Sequence, residues 1–437
     1  MAILNLPHWG LVTTTILSCL ASPALLAPVE SDTERRGSQP VRIPMGQSFH
    51  GPTFNLTYGN PPQTMVMLDD WTWHSTWFYT PNCKGNYSVP NCVLPGQNFF
   101  DYKKSSTFHQ TSDAVQTFSG TDYAPGLPFT VNFGTDKMCL PDRNSHDNIC
   151  KPKVEVEVSD LPYEFPVVED IGGIFGYAPV LNGFNATFLP APYQFMQAGA
   201  FSKEVGWHMC TALKNKKSCD NQDYLTILGG TETSVYRAQS MQEHPIVVTP
   251  CINAGNLNLS PARDNYWSAS WTGLWIGGKS VALSAPSTGQ PPVPDASCNT
   301  INPVAIFDEG KFGDGAPIPL AAFPSIVNAT GAVKINGSAV ILNQGKQGLY
   351  SVSCNKINSL PNLTYELSGK QNITVTPDMY IDKVAMPGTC LLNARAWDRT
   401  KNGAQTFFGT TVIEKTYLKF DYEKRTVGVA PLNNNLF

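Results

Sequence analysis

Asp70 and Asp308 are the residues in this chain best suited to do chemistry. Each closes an apolar run that reads as a strand, Thr64-Met-Val-Met-Leu-Asp-Asp70 and Val304-Ala-Ile-Phe-Asp308. A hydrophobic-hydrophobic-Gly element follows each at a distance of roughly a hundred residues, Ile174-Phe175-Gly176 and Phe407-Phe408-Gly409. A pattern used twice predicts two similar lobes, each presenting one carboxylate. Two carboxyl groups held close together divide acid and base work, because like charges at short range push one group to keep its proton.

The elements that must carry these groups read as β-structure. The chain has 437 residues, enough for two lobes with substantial cores. Apolar residues make up 42% and charged residues only 15%, and the 35 Gly and 35 Pro are spread along the chain, as in a turn-rich β protein. Short β-like runs separated by Gly, Pro, Asn and Asp begin near Val41-Arg-Ile-Pro-Met45. Tyr224-Leu-Thr-Ile-Leu-Gly-Gly230 closes the first half with a strand and a turn, and the polar stretch 231–245 marks a boundary. The expected division is an N-terminal β lobe over 41–235 and a C-terminal β lobe over 236–437. Pro192 to Phe201 and Val412 to Leu418 are the best candidates for short helices.

Residues 1–24 read as a secretory signal, with an apolar stretch from Trp9 to Leu20 leading to the small residues Ala21 and Ala24. A buried N-terminal strand is the other reading of that stretch. Residues 25–40 read as a short leader, and Arg35-Arg36 within it as a dibasic processing site or as an ordinary exposed pair of charges. Ten cysteines remain outside the signal, and spacing favours Cys83–Cys92, Cys139–Cys150, Cys210–Cys219, Cys251–Cys298 and Cys354–Cys390, with other connectivities open. A zinc site at His208, Cys210 and Cys219 is the weaker reading, since no Cys-x2-Cys or His-x3-His pair occurs. Glycosylation sequons stand at Asn55, Asn86, Asn185, Asn258, Asn328, Asn336, Asn362 and Asn372. Paired cysteines and sequons fit a secreted protein made in an oxidising compartment. The net charge of -4 gives no footprint for nucleic acid or an anionic membrane, and no membrane anchor is read in the sequence.

The order and spacing of further motifs resemble the pepsin-like aspartic proteases over nearly the whole chain. Tyr58-Gly59-Asn60-Pro61-Pro62-Gln63 resembles the family's Gly-Thr-Pro-Pro-Gln turn. Counting seven from Gln63 reaches Asp70 rather than Asp69, seven more reaches Trp77, and thirteen past Asp70 lies Cys83. Ser105-Ser-Thr-Phe108, Gly173-Ile-Phe-Gly176, Gly348-Leu-Tyr-Ser-Val-Ser-Cys354, Leu360-Pro361 and Tyr380-Ile381 match in order. The resemblance implies an all-β, bilobal pepsin-like aspartic protease fold with a central cleft, and Asp70 and Asp308 as the catalytic pair. It also implies a flap hairpin closing over substrate. Tyr123 in Asp122-Tyr-Ala-Pro-Gly126 is the candidate flap tyrosine, and a surface tyrosine in a turn is the competing reading.

The tripeptides after the aspartates depart from the family. Asp-Thr-Gly is expected twice; the chain has Asp70-Trp71-Thr72 and Asp308-Glu309-Gly310. In the family each threonine hydrogen-bonds across to the other loop, and each glycine lets its N–H approach the carboxylates unobstructed. The next residues are Trp73 and Lys311, and Lys311 is placed to hold a carboxylate ionised. If strand alternation continued, Trp71, Trp73 and Trp77 would share one face, with Trp71 and Trp73 at the cleft floor, filling it or forming a platform for a ligand. The leader lacks lysine, unlike the longer basic propeptides of pepsin-like zymogens.

Two functions are expected on these grounds. One is a secreted aspartic endopeptidase homologue with peptide hydrolysis weakened or lost. The other is a non-catalytic pseudoprotease that binds a peptide, a glycan or another secreted enzyme. Both imply a monomer with a peptide or protein in the cleft and no cofactor.

Overall fold

Period-two burial is visible from the first strand. Val41–Gln47 and Pro52–Tyr58 alternate buried and more exposed residues, as strands with one face on a core must. Strands that read as unbroken apolar runs, Tyr224–Leu228, Gly173–Gly176 and Val304–Phe307, are buried on both faces. In the computed structural model of the chain the described residues are 39–48, 51–73, 75–82, 98–117, 128–143, 148–159, 171–180, 189–211, 213–247, 266–283, 303–309, 315–335, 348–386, 388–397, 405–433 and 435. The expected signal, the Arg35-Arg36 pair, Tyr123, Gly310, Lys311, and the cysteines Cys83, Cys92, Cys251 and Cys298 lie outside them.

The doubled sequence pattern is a doubled ladder. Gln63–Asp70 runs parallel to Gly173–Gly176, with Asp70 opposite Gly176. Val304–Phe307 runs parallel to Gln405–Phe408, with Phe307 opposite Phe408. Each pair has a parallel companion: Thr76–Tyr79 with Ile149–Ser159, and Ala316–Pro319 with Ala394–Trp397. Gly176 has a local reason to be glycine, because a Cβ there would lie 2.3 Å from the carbonyl oxygens of both Ser75 and Trp73.

A 13-stranded sheet ties the two halves together. In it the late strands Thr416–Asp421 and Thr426–Pro431 join Glu204–Met209 and Tyr224–Leu228, with Leu418 opposite Trp207 and Val41 opposite Leu228. A six-stranded sheet carries Ser268–Ile276 and the strand before Asp308. The fold is the expected all-β, bilobal one.

Two local expectations are corrected. Val412–Leu418 is not one helix: Thr410–Ile413 is helical, and Thr416 already pairs with Pro431, so sheet formation takes the second half. The three tryptophans do not share a face. Gln63–Asp70 ends at Asp70 and Thr76–Tyr79 begins six residues later, so the intervening bend breaks the alternation. Trp71 enters the main core, while Trp73 packs with Trp77 in a separate cluster.

Disulfides join Cys139 to Cys150, Cys210 to Cys219 and Cys354 to Cys390. Of the sequon asparagines, Asn55, Asn328, Asn362 and Asn372 are exposed, and the other four lie outside the described residues.

Candidate active site

Asp70 ends its strand in a turn built on its own carboxylate. Its Oδ1 accepts from the Thr72 N–H at 2.8 Å, the Thr72 hydroxyl at 2.7 Å and the Trp73 N–H at 3.1 Å. Its carbonyl accepts from the Tyr177 N–H at 2.9 Å, fixing it to the chain beyond Gly176. Threonine in the glycine position therefore does not block the amide, because its side chain folds back and adds a second donor to the same oxygen. Asp308 is 3% exposed, and its N–H reaches the Phe408 carbonyl at 3.3 Å, the corresponding tie in the second half.

Glu309, the next residue, is fully buried. Its Oε1 accepts the Trp71 N–H at 3.0 Å, so one aspartate loop is bonded to the other through a carboxyl group. Its Oε2 has no hydrogen-bond partner among the described residues. Burial pushes the Glu309 carboxyl well above the usual range, and the charges of Asp70, Asp69 and Asp308 push the same way. Trp71 cannot return the bond, since an indole has no acceptor. Its ring leaves the site and packs edge-on against Trp207 at 4.5 Å and Phe420 at 4.8 Å. Trp73 is half-buried, 6.2 Å from Trp77, with its amide on Asp70. Of the two tryptophans placed at the cleft floor from the sequence, only Trp73 stays partly open.

Asp69 occupies a fully buried position, and neither of its oxygens makes a hydrogen bond among the described residues. Burial pushes its carboxyl up to about 8; the Tyr177 hydroxyl and Trp71, close but not in formed hydrogen bonds, pull it partly back, and Asp70 adds to the rise. Tyr177 is a residue the sequence reading missed. Its carbonyl accepts the Trp267 indole N–H at 2.7 Å and the Tyr422 hydroxyl at 2.6 Å, linking the Asp70 side to the strand that enters the second half. Its position next to Gly176 was the available signal.

His208, Cys210 and Cys219 do lie together, but the two sulfurs are joined to each other and are not free thiolates. Burial lowers the imidazole of His208 to about 4.

Comparison with known proteins agrees with this fold. Residues 227–432 match the family model described as eukaryotic aspartyl protease. A "Secreted aspartic protease FUS4" of Gibberella moniliformis is 34% identical over 432 residues, covering 94% of this chain and 95% of its own length. A "Secreted aspartic protease LUC8" of Fusarium sp is 34% identical over 412 residues, covering 91% and 92%. "Pepsin A" of Suncus murinus is 24% identical over 432 residues, covering 98% and 92%. No helix among the described residues is long and apolar enough to cross a membrane. The protein is secreted, as relatives of this similarity are. By these matches across nearly its full length, the chain belongs to the pepsin-like eukaryotic aspartyl protease family.

Proposed function

We propose that this protein binds an extended peptide in a pepsin-type cleft and that hydrolysis at Asp70 and Asp308 is weak or lost. The observation that carries the reading is the Glu309–Trp71 bond across the loops. In the family two threonines hold the aspartates in register from both sides. Here one arm is a buried acid and the other is an indole that serves the core instead. A working pair shares one proton and one water, with one carboxylate as base and the other polarising the scissile carbonyl. Sharing depends on close register, and a misplacement of about 1 Å can reduce rate a hundredfold. A buried third carboxyl beside the pair adds another group competing for protons.

An active acid endopeptidase is the second reading. The three donors on Asp70 Oδ1 favour it, since they keep that loop in the form that holds a carboxylate ready. The test is digestion of denatured globin from about pH 2.5 to about pH 6, with and without pepstatin. Pepstatin binding without pepstatin-sensitive cleavage supports the first reading; sensitive cleavage supports the second. On either reading the protein acts as a monomer, bears N-glycans at its exposed sequons, and uses Asp70 and Asp308 to contact the peptide.

A further inference from the structure

Glu309 stands out among the buried polar groups. It is fully buried, one oxygen bridges to the other loop, and the second oxygen is without a partner among the described residues. Among the described residues, the titratable groups that face it come from four places. Asp69 and Asp70 lie at the end of Gln63–Asp70, Asp308 lies just before it in the chain, Tyr177 follows Gly173–Gly176, and Tyr224 belongs to Tyr224–Leu228. All five are acids or phenols. Lys311 lies outside the described residues.

We propose that Glu309 is the positioning residue of this cleft: its neutral carboxyl is the strut joining the two aspartate loops, and its ionisation releases them. The proposal rests on the peptide-binding reading. A neutral carboxyl accepts the Trp71 N–H without placing a charge beside Asp70 and Asp308. An ionised one is a buried charge that faces, among the described residues, acids and phenols, and burial of such a charge is relieved by admitting water. Water reaches it when the loops part. A threonine at this position bridges without titrating; a glutamic acid makes the bridge depend on pH. The cleft of this protein is therefore assembled in acid and loosens as pH rises.

The experiment uses the full secreted protein with four side chains at this position: the native Glu, Glu309→Gln, Glu309→Thr and Glu309→Ala. Urea unfolding is followed at intervals from about pH 4 to about pH 8. Through the titration of Glu309, the unfolding constant of the native protein rises about tenfold more per pH unit than that of Glu309→Gln or Glu309→Thr. Pepstatin affinity at about pH 4 stays within about threefold in Glu309→Gln, which keeps the acceptor, and falls at least about tenfold in Glu309→Ala. An infrared difference spectrum, native minus Glu309→Gln, shows the carbonyl band of a protonated acid at acid pH that disappears on raising the pH. Equal pH slopes for the native protein and Glu309→Gln, or equal pepstatin affinity in Glu309→Ala and the native protein, overturn the proposal. If the native protein binds no pepstatin at any pH, the peptide-binding reading fails, and the unfolding slopes decide the fate of Glu309 alone. Glu309→Thr, carrying the family's own residue, keeps the slope comparison available if Glu309→Gln does not fold.

Discussion

Glu309 Oε1 lies 3.0 Å from the backbone nitrogen of Trp71, joining residues 238 positions apart. Both stand directly after the aspartates of the doubled motif. The bond keeps one half of a reciprocal bridge and replaces its neutral hydroxyl with an acid. The consequences for stability and for the site can be measured residue by residue.

Asp69→Asn is expected to flatten the dependence of stability on pH. The folded carboxyl is raised from 3.8 to about 8, chiefly by burial. The folded state therefore binds a proton that the unfolded chain releases. Asp69 contributes no pH-dependent loss below the unfolded value, and stability falls as pH rises from there through the folded value. The slope for one such group is about 1.4 kcal/mol per pH unit. Thermal or urea unfolding of both proteins between about pH 4 and about pH 8 checks this; identical slopes would count against a protonated Asp69.

Trp71→Ala is expected to destabilise the fold by about 3–5 kcal/mol, because it empties a contact with Trp207 and Phe420 in the core. A tryptophan lying open on the cleft floor would lose far less, so urea midpoints separate the two placements. Trp73→Ala, at a half-buried site, should lose clearly less than Trp71→Ala.

Replacing Cys210 and Cys219 together by serine is expected to reduce stability by about 2–3 kcal/mol, the scale for opening a short closed loop. Added zinc should not raise the melting temperature of the native protein, since both sulfurs are committed to the disulfide. Non-reducing peptide mapping should recover Cys139–Cys150, Cys210–Cys219 and Cys354–Cys390.

The repeat was legible because backbone pairing leaves a period in the side chains. Asp70 and Asp308 were found from apolar runs, and the partner strands from the glycine that lets chains approach closely. Counting from Gln63 separated Asp70 from Asp69, and the structure gives the two different surroundings: Asp70 bonds within its own loop, and Asp69 is fully buried. The direction of Trp71 was not legible. It depends on a bend at 71–72 and on space beside Trp207 and Phe420, far away in sequence. The cross-loop role of Glu309 was hidden for the same reason, because its partner is the amide of Trp71, and backbone amides carry no sequence signature. Thr72 looked like an obstruction because a side chain replaced a glycine; its hydroxyl turned out to be a donor.

The central claim is that the aspartates persist while the arrangement that makes them hydrolytic does not. Globin digestion at about pH 3–4 tests it most directly, with the native protein, Asp70→Ala, Asp308→Ala and a Trp71→Thr, Glu309→Thr double variant assayed in parallel. The expected result is little or no pepstatin-sensitive cleavage by the native protein, no further loss in either alanine variant, and a gain in the double variant if it folds. Pepstatin-sensitive cleavage by the native protein that either alanine substitution abolishes would contradict the claim and establish a working aspartic endopeptidase.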